Sequence, residues 1–333
     1  MKRKFLFSFV MLVFIFSCSK NNETNQKDID SGNKLKTTNS FKGVNWADAR
    51  DNYNSGWVLP SGVLSGDSYS TIKSHAQTIC SNFQSKLGAN TVRIPINPPT
   101  VSGFWSNYKG TIDGALAQGM KVIICCWTES GSVGTVTNST NFYAMWTTVV
   151  NAYSSNSNVY FEILNEPFGY STSNWLGLCS TWLSKYSSIP RGRVLVGGTG
   201  YDDNVNNVGG DSRVSGCLFS QHMYPWWANY TTNGQWYNKL SSACNNYAGS
   251  TILTEFGCVM NSGLNFYGTS STDNIVCFLQ GVTNYTRAKG MGCCYWPGLR
   301  DGDSYSMTTR NSNYSLNVVN ASGVSQLNWG WGN

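Results

Sequence analysis

FEILNEP, residues 161–167, starts as an apolar run suited to a buried strand and ends in an amide, a carboxylate and a proline. A buried strand tolerates that ending only where the chain surfaces into a loop or carries an acid to the mouth of a pocket. The rest of the chain bears on the choice. Short apolar segments recur at FKGVNW (41–46), TVRIPI (91–96), KVIICCW (121–127), NVYFEILNE (158–166), RVLVGGTG (193–200), LFSQHMY (218–224), TILTEFG (251–257) and MGCCYW (291–296). Helix-compatible stretches separate most of them, around 70–87, 108–119, 141–154, 174–188, 232–247 and 271–288. Strands buried on both faces and alternating with helices build a parallel sheet, and eight of them predict an α/β (β/α)8 TIM barrel. An open doubly wound sheet would carry a glycine-rich phosphate loop after its first strand. FKGVNWAD offers Gly43 alone, and the GGTG at 197–200 lacks the fingerprint spacing.

With 333 residues, 41% hydrophobic and 14% aromatic, the chain can bury one large core. Residues 41–333 are expected to form a single domain, with the tail from Asn311 acting as its last strap. The N-terminus differs in character. Lys2, Arg3 and Lys4 precede an apolar run from Phe5 to Phe16, then Ser17 and Cys18, which predicts an export signal over residues 1–18. IFSC resembles the lipobox of bacterial lipoproteins, and that resemblance implies lipidation at Cys18 and anchoring in a bacterial cell envelope. The polar stretch 19–40 is expected to be a disordered tether. Lys2, Arg3 and Lys4 are three of the 23 basic residues, so 20 stand against 17 acidic ones outside the signal. So small an excess, without a Lys/Arg stripe, excludes nucleic acid as the partner. The chain is expected to act as a monomer.

Eleven cysteines are present, ten of them beyond Cys18. Cys125, Cys126, Cys293 and Cys294 lie inside apolar runs and are expected to be packed thiols. Cys80, Cys179, Cys217, Cys244, Cys258 and Cys277 leave room for a disulfide or two, which spacing cannot pair. Two histidines, His75 and His222, cannot build a zinc site without CxxC-spaced thiols, so neither a metal nor another cofactor is expected.

Polar residues gather at one end of the apolar segments: Asn45 and Trp46, Arg93, Trp127 and Glu129, Asn165 and Glu166, His222 and Tyr224, Glu255, and Trp296. In a barrel those ends share one face, where such folds place their chemistry. Glu166 and Glu255 would end strands on opposite sides of the mouth. Retaining glycoside hydrolysis needs such a pair, with carboxyls about 5–5.5 Å apart.

FEILNEP, LTEFG, VRIPI and QHMY together resemble motifs of glycoside hydrolase family 5, over residues 41 to about 300. The resemblance implies Glu166 as acid/base, Glu255 as nucleophile and Asn165 as the partner of the sugar 2-hydroxyl. It also implies Arg93 beneath the nucleophile, His222 and Tyr224 as donors to the two carboxylates, and Trp296 as an aromatic platform. Arg93 is expected to hold a carboxylate bidentately and keep it ionised. VIICCWTE departs from the family pattern, having Cys125, Cys126 and Trp127 where a histidine is usual. Trp46, Trp127, Glu129, Trp226, Trp296, Arg300, Asp301 and Asp303 are the candidate sugar contacts, because indoles stack on sugar faces and charged groups grip hydroxyls. The implied substrate is an oligo- or polysaccharide, first a β-linked glucan. The alternatives are an exo-acting furanosidase on the same scaffold and a surface protein that binds glycan without cutting it.

Overall fold

The computed structural model describes residues 37–50, 55–127 and 133–333. Eight parallel strands follow in chain order: β1 (Lys42–Trp46), β2 (Thr91–Ile96), β3 (Lys121–Cys126), β4 (Val159–Glu162), β5 (Val194–Gly197), β6 (Leu218–Met223), β7 (Thr251–Phe256) and β8 (Gly292–Leu299). β1 pairs in parallel with both β2 and β8, which closes the barrel. Two short strands, β9 (Thr308–Arg310) and β10 (Leu316–Val318), extend the sheet beyond β8. The expected (β/α)8 TIM barrel is therefore the fold.

Around it lie α1 (Tyr69–Asn82), α2 (Pro98–Gly103), α3 (Trp105–Ala117), α4 (Ser139–Tyr153), α5 (Thr172–Lys185), α6 (Thr199–Asp202), α7 (Asn233–Cys244), α8 (Asn274–Lys289) and α9 (Ala321–Gly330). Most start where the sequence supplies a side-chain oxygen for a free backbone N–H: Ser68, Asn97, Asn138, Ser171, Thr232, Asp273 and Asn320 all cap in this way. Such a cap is worth about 1 kcal/mol. α6 is a single kinked turn, so β5 and β6 are joined without a full helix, in keeping with the missing helical stretch there. The tail straps the barrel as expected, through β10 and α9, with Trp331 Nε1 donating to the Cys293 carbonyl at 3.1 Å.

Alternation along the strands sorts side chains into two compartments. Val44 and Trp46, Val92, Ile94 and Ile96, and Val122, Ile124 and Cys126 pack outward in the main core. Phe41, Ile123, Leu195, Leu218, Ile252 and Cys294 form a separate apolar cluster at the strand starts, inside the barrel. Ala47, Val58, Cys125, Trp127, Tyr224 and Trp296 form a second one at the opposite end. Between these clusters the interior is polar, and the site is built there.

Two expectations change. Thr38 lies within the span read as a tether, yet it is buried, donating to the Thr251 carbonyl at 2.6 Å and accepting the Gly292 N–H at 2.8 Å. It ties off two strand starts, so the folded part begins before residue 41. The ten cysteines Cys80 to Cys294 are all free and buried, so the disulfides allowed for the six scattered ones are not formed. The export signal, Cys18 and most of the tether lie outside the described residues. Among the described residues no helix is long and apolar enough to cross a membrane.

Gly43 is an interior position where a Cβ would lie 2.2 Å from Cys294 Sγ. Gly43→Ala should lower stability by about 1–3 kcal/mol through overpacking. Cys294→Ala in the same chain should recover part of that loss, because the new methyl fills the space the thiol vacates; a double-mutant cycle in denaturant unfolding measures the non-additivity.

Candidate active site

Arg93, on β2, is buried at the centre of the polar layer. Its Nε donates to Glu162 Oε2 at 2.6 Å and its Nη2 to Glu162 Oε1 at 2.9 Å, a two-bond pair with a carboxylate on β4. Nη1 donates to Asn45 Oδ1 at 3.0 Å and to Glu255 Oε1, and Nη2 also reaches Asn165 Oδ1 at 2.7 Å and Cys125 Sγ at 3.0 Å. Burial alone would favour loss of its charge, but Cys125, Glu162 and Glu255 together hold the guanidinium well above its ordinary value. The expected bidentate grip is thus spent on Glu162, and Glu255 takes one N–H.

Glu255 enters the barrel by way of a register shift. Gln221 pairs with Leu253, but His222 pairs with Glu255, so β7 carries Thr254 as an extra residue. Ile252 points inward, and unbroken alternation would send Glu255 outward; the bulge reverses the parity. Asn45 Nδ2 holds the bulge by donating to the Thr254 carbonyl at 2.9 Å. Inside, Glu255 Oε2 accepts from Tyr224 Oη at 2.9 Å. Burial pushes the Glu255 carboxyl above its usual value, while His222 and Arg93 pull it back.

Glu166 follows β4, where the backbone has turned into a left-handed conformation, φ 49°. Its side chain is 13% exposed and its Oε1 lies 3.0 Å from His222 Nδ1. The same Nδ1 is 3.6 Å from Glu255 Oε2. Burial lowers the His222 imidazole to about 4, so the ring is neutral near pH 7. An oxygen of Glu166 and one of Glu255 lie within 4.8 Å of each other, with His222 bridging them. The Glu166 N–H donates to Asp202 Oδ2 at 3.0 Å.

All six residues expected to carry the chemistry, Glu166, Glu255, Arg93, Asn165, His222 and Tyr224, converge on this cluster. The expected sugar contacts fare differently. Trp46 has outward parity on β1 and is fully buried, with Nε1 donating to the Ser61 carbonyl at 2.9 Å, so it packs the shell and does not face the mouth. Trp127 is 1% exposed and its ring lies 5.7 Å from that of Trp296, itself 8% exposed, so both are largely packed within the apolar cluster at the mouth. Arg300 pairs with Asp303 at 2.9 Å and Asp301 with Arg310 at 2.6 Å, so these charges brace the turn between β8 and β9. Trp226 is 62% exposed and stacks on Tyr224 at 4.2 Å. Glu129 lies outside the described residues.

Glu162 and Asp202 were not anticipated. A carboxylate inside an apolar strand requires a buried countercharge, and Arg93 in VRIPI was the visible candidate, so Glu162 had a signal. Asp202 had none, because its place depends on how the chain turns after β5. Among the described residues, two sets of carboxylate and imidazole atoms lie close enough to share a cation, Glu162 with Asp202 and His222, and Glu166 with His222 and Glu255. Arg93 already occupies both oxygens of Glu162.

A closed barrel with two carboxylates this close at the strand ends has the architecture of a retaining glycoside hydrolase. The family described as cellulase, glycosyl hydrolase family 5, matches residues 61–302, and the chain belongs to that family. Solved structures share the fold. An endo-β-1,4-glucanase of Xanthomonas axonopodis pv. citri, solved as a triple mutant, is 17% identical, with 87% of this chain and 99% of that one covered and a TM-score of 0.62. An endocellulase of the archaeon Pyrococcus horikoshii is 15% identical, with 87% and 92% covered and a TM-score of 0.61. Cel5A of Hypocrea jecorina is 17% identical, with 87% and 98% covered and a TM-score of 0.58. A comparison with curated proteins found no match.

Glu162→Gln should cost about 3–5 kcal/mol in denaturant unfolding, because Arg93 is left buried with less countercharge. Tyr224→Phe removes a donor to the ionised form of Glu255, so the Glu255 pKa rises further. The acidic limb of kcat/KM should therefore move to higher pH, as read from a pH–rate profile.

Proposed function

We propose that this chain hydrolyses β-linked glucan by double displacement, with Glu255 as nucleophile and Glu166 as acid/base. The observation that carries the proposal is that an oxygen of Glu166 lies within 4.8 Å of an oxygen of Glu255, the close pairing of carboxyls that retaining rather than inverting hydrolysis uses. In the first step a Glu255 oxygen attacks the anomeric carbon, the glycosidic bond breaks, and Glu166 passes its proton to the leaving oxygen. In the second, Glu166 takes a proton from water, whose oxygen attacks the same carbon and releases Glu255. Esterified Glu255 carries no charge, so the repulsion that favours protonated Glu166 is gone when it must act as a base.

Arg93 and Tyr224 donate to the two Glu255 oxygens and stabilise it both as attacking and as departing carboxylate. Asn165 accepts from Arg93 at Oδ1, which turns its NH2 to the remaining side and supports a contact with the sugar 2-hydroxyl. Trp226, stacked on Tyr224, presents an open indole face for a pyranose ring beside the nucleophile. The similar structures are named endo-β-1,4-glucanase and endocellulase, which supports a β-1,4-glucan and cleavage inside the chain. The basic head, apolar run and Cys18 support export and lipid anchoring, and cell fractionation with radiolabelled fatty acid tests that reading.

Glu255→Ala and Glu166→Ala should each lower kcat on soluble β-glucan by at least about 10²–10⁴-fold with unchanged far-UV circular dichroism. Product sizing across β-glucan, mannan, xylan, arabinan and nitrophenyl furanosides tests the substrate. Short oligomers from β-glucan are expected, and a monosaccharide released only from a furanoside would overturn the glucan reading.

A further inference from the structure

Between Gly197 at the end of β5 and Asp203, the chain folds back on itself, with φ of 67° at Gly200 and 55° at Asp202. This unusual backbone delivers the Asp202 carboxyl into the barrel. Gly197 makes space for it: a Cβ there would lie 2.0 Å from Asp202 Oδ1. Asp202 is fully buried. Its Oδ2 accepts the Glu166 N–H at 3.0 Å and lies 3.5 Å from His222 Nε2. Among the described residues, His222 Nε2 and Asp202 Oδ1 have no hydrogen-bond partner.

Neutral histidine carries one ring proton, and the partner of one nitrogen fixes the other. Nδ1 faces two carboxylates, Glu166 Oε1 and Glu255 Oε2. A bare Nδ1 could accept from Glu166 only while that acid holds its proton on Oε1, and would face lone pairs of both carboxylates once the proton is passed on, whereas Nδ1–H is satisfied in both states. Nε2 must then be an acceptor, and the polar atom 3.5 Å away is Asp202 Oδ2. An ionised Asp202 has no proton to give. A neutral one does, and a carboxylic hydroxyl oxygen can donate to Nε2 while accepting the Glu166 N–H.

We propose that Asp202 is a positioning residue that acts as a neutral carboxylic acid: it donates to His222 Nε2, fixes the ring as the Nδ1–H tautomer aimed at Glu166, and anchors the Glu166 backbone through the same oxygen. The proposal rests on the reading of Glu166 as acid/base. The charged groups around Asp202 agree with it: burial first, then Glu162 and Glu166, raise its carboxyl well above the usual range, against the Glu166 N–H and Arg93. Around His222, burial outweighs Glu255, Glu162 and Asp203 and acts with Arg93 to keep the ring neutral. At 3.5 Å, Asp202 Oδ2 stands at the outer edge of hydrogen-bond reach of Nε2, which has no closer partner among the described residues. Held by Nδ1–H at Oε1, Glu166 is left with Oε2 to carry the acid proton.

Asparagine separates this from a merely structural role. One amide atom must sit where Oδ2 is: oxygen accepts from Glu166 but cannot donate to Nε2, and nitrogen does the reverse. The chain has two histidines, so ¹⁵N-histidine labelling gives two rings, and His75→Gln assigns them. Long-range ¹H–¹⁵N correlation at pH 6–8 should show His222 with protonated Nδ1 and bare Nε2. Asp202→Asn should lose that single tautomer and lower kcat about 10²-fold with little change in KM. An Nε2–H tautomer in the unmodified protein would overturn the proposal. So would an Asp202→Asn protein that keeps both tautomer and kcat. Should Asp202→Asn fail to fold, the tautomer of the unmodified protein decides alone. The ring reading needs no substrate, so an enzyme inactive on every glycan would refute the proposed function and leave this result standing or fallen by itself.

Discussion

Arg93 and Glu162, both buried, meet by two hydrogen bonds in the polar layer between two apolar clusters. Taking both charges out of water costs several kcal/mol each, and their attraction offsets that only with good geometry and further partners. Asn45, Asn165, Cys125 and Glu255 are those partners, so one guanidinium ties β1, β2, β3, β7 and the chain leaving β4 to a common point. The pair is weak evidence for stability in itself. Its effect is on position: groups that must lie within a few ångströms of one another across the mouth all refer to the same rigid cation.

The two reactive carboxylates reach that point by different devices. Glu255 arrives through one extra residue in β7, which changes the face to which every later side chain points. Glu166 arrives through a left-handed backbone that no regular strand supplies. Each departure is held by a buried polar group, the bulge by Asn45 and the turn by Asp202. Strain of this kind persists where the surroundings over-determine it, and it gathers at working sites.

The barrel was legible because eight apolar segments alternate with helical ones, and strand positions survive an error of a residue or two. The six central site residues were legible because strand ends converge in a barrel. Parity was harder. Trp46 reads as a mouth residue by position along the strand, but alternation turns it outward, and only the pairing register tells this apart from Asn45 beside it. Exposure was harder still: Trp127 and Trp296 were read as sugar platforms, yet both are largely buried. The loop charges Arg300, Asp301 and Asp303 find partners three to nine residues away, among themselves and at Arg310, a local saturation that composition does not reveal. Thr38 looked like part of a polar tether because a single hydroxyl that ties two strand starts has no pattern around it.

The proposed hydrolysis turns on a covalent step at Glu255, and trapping tests it most directly. The protein would be incubated with an activated 2-deoxy-2-fluoro cellobioside, which slows turnover of a glycosyl intermediate more than its formation, then digested and analysed by mass spectrometry. A single fluoroglycosyl adduct on the peptide containing Glu255, absent from Glu255→Ala, is the predicted result. An adduct on another carboxylate, or the inverted anomer as the first product of an active enzyme with no adduct, would contradict it.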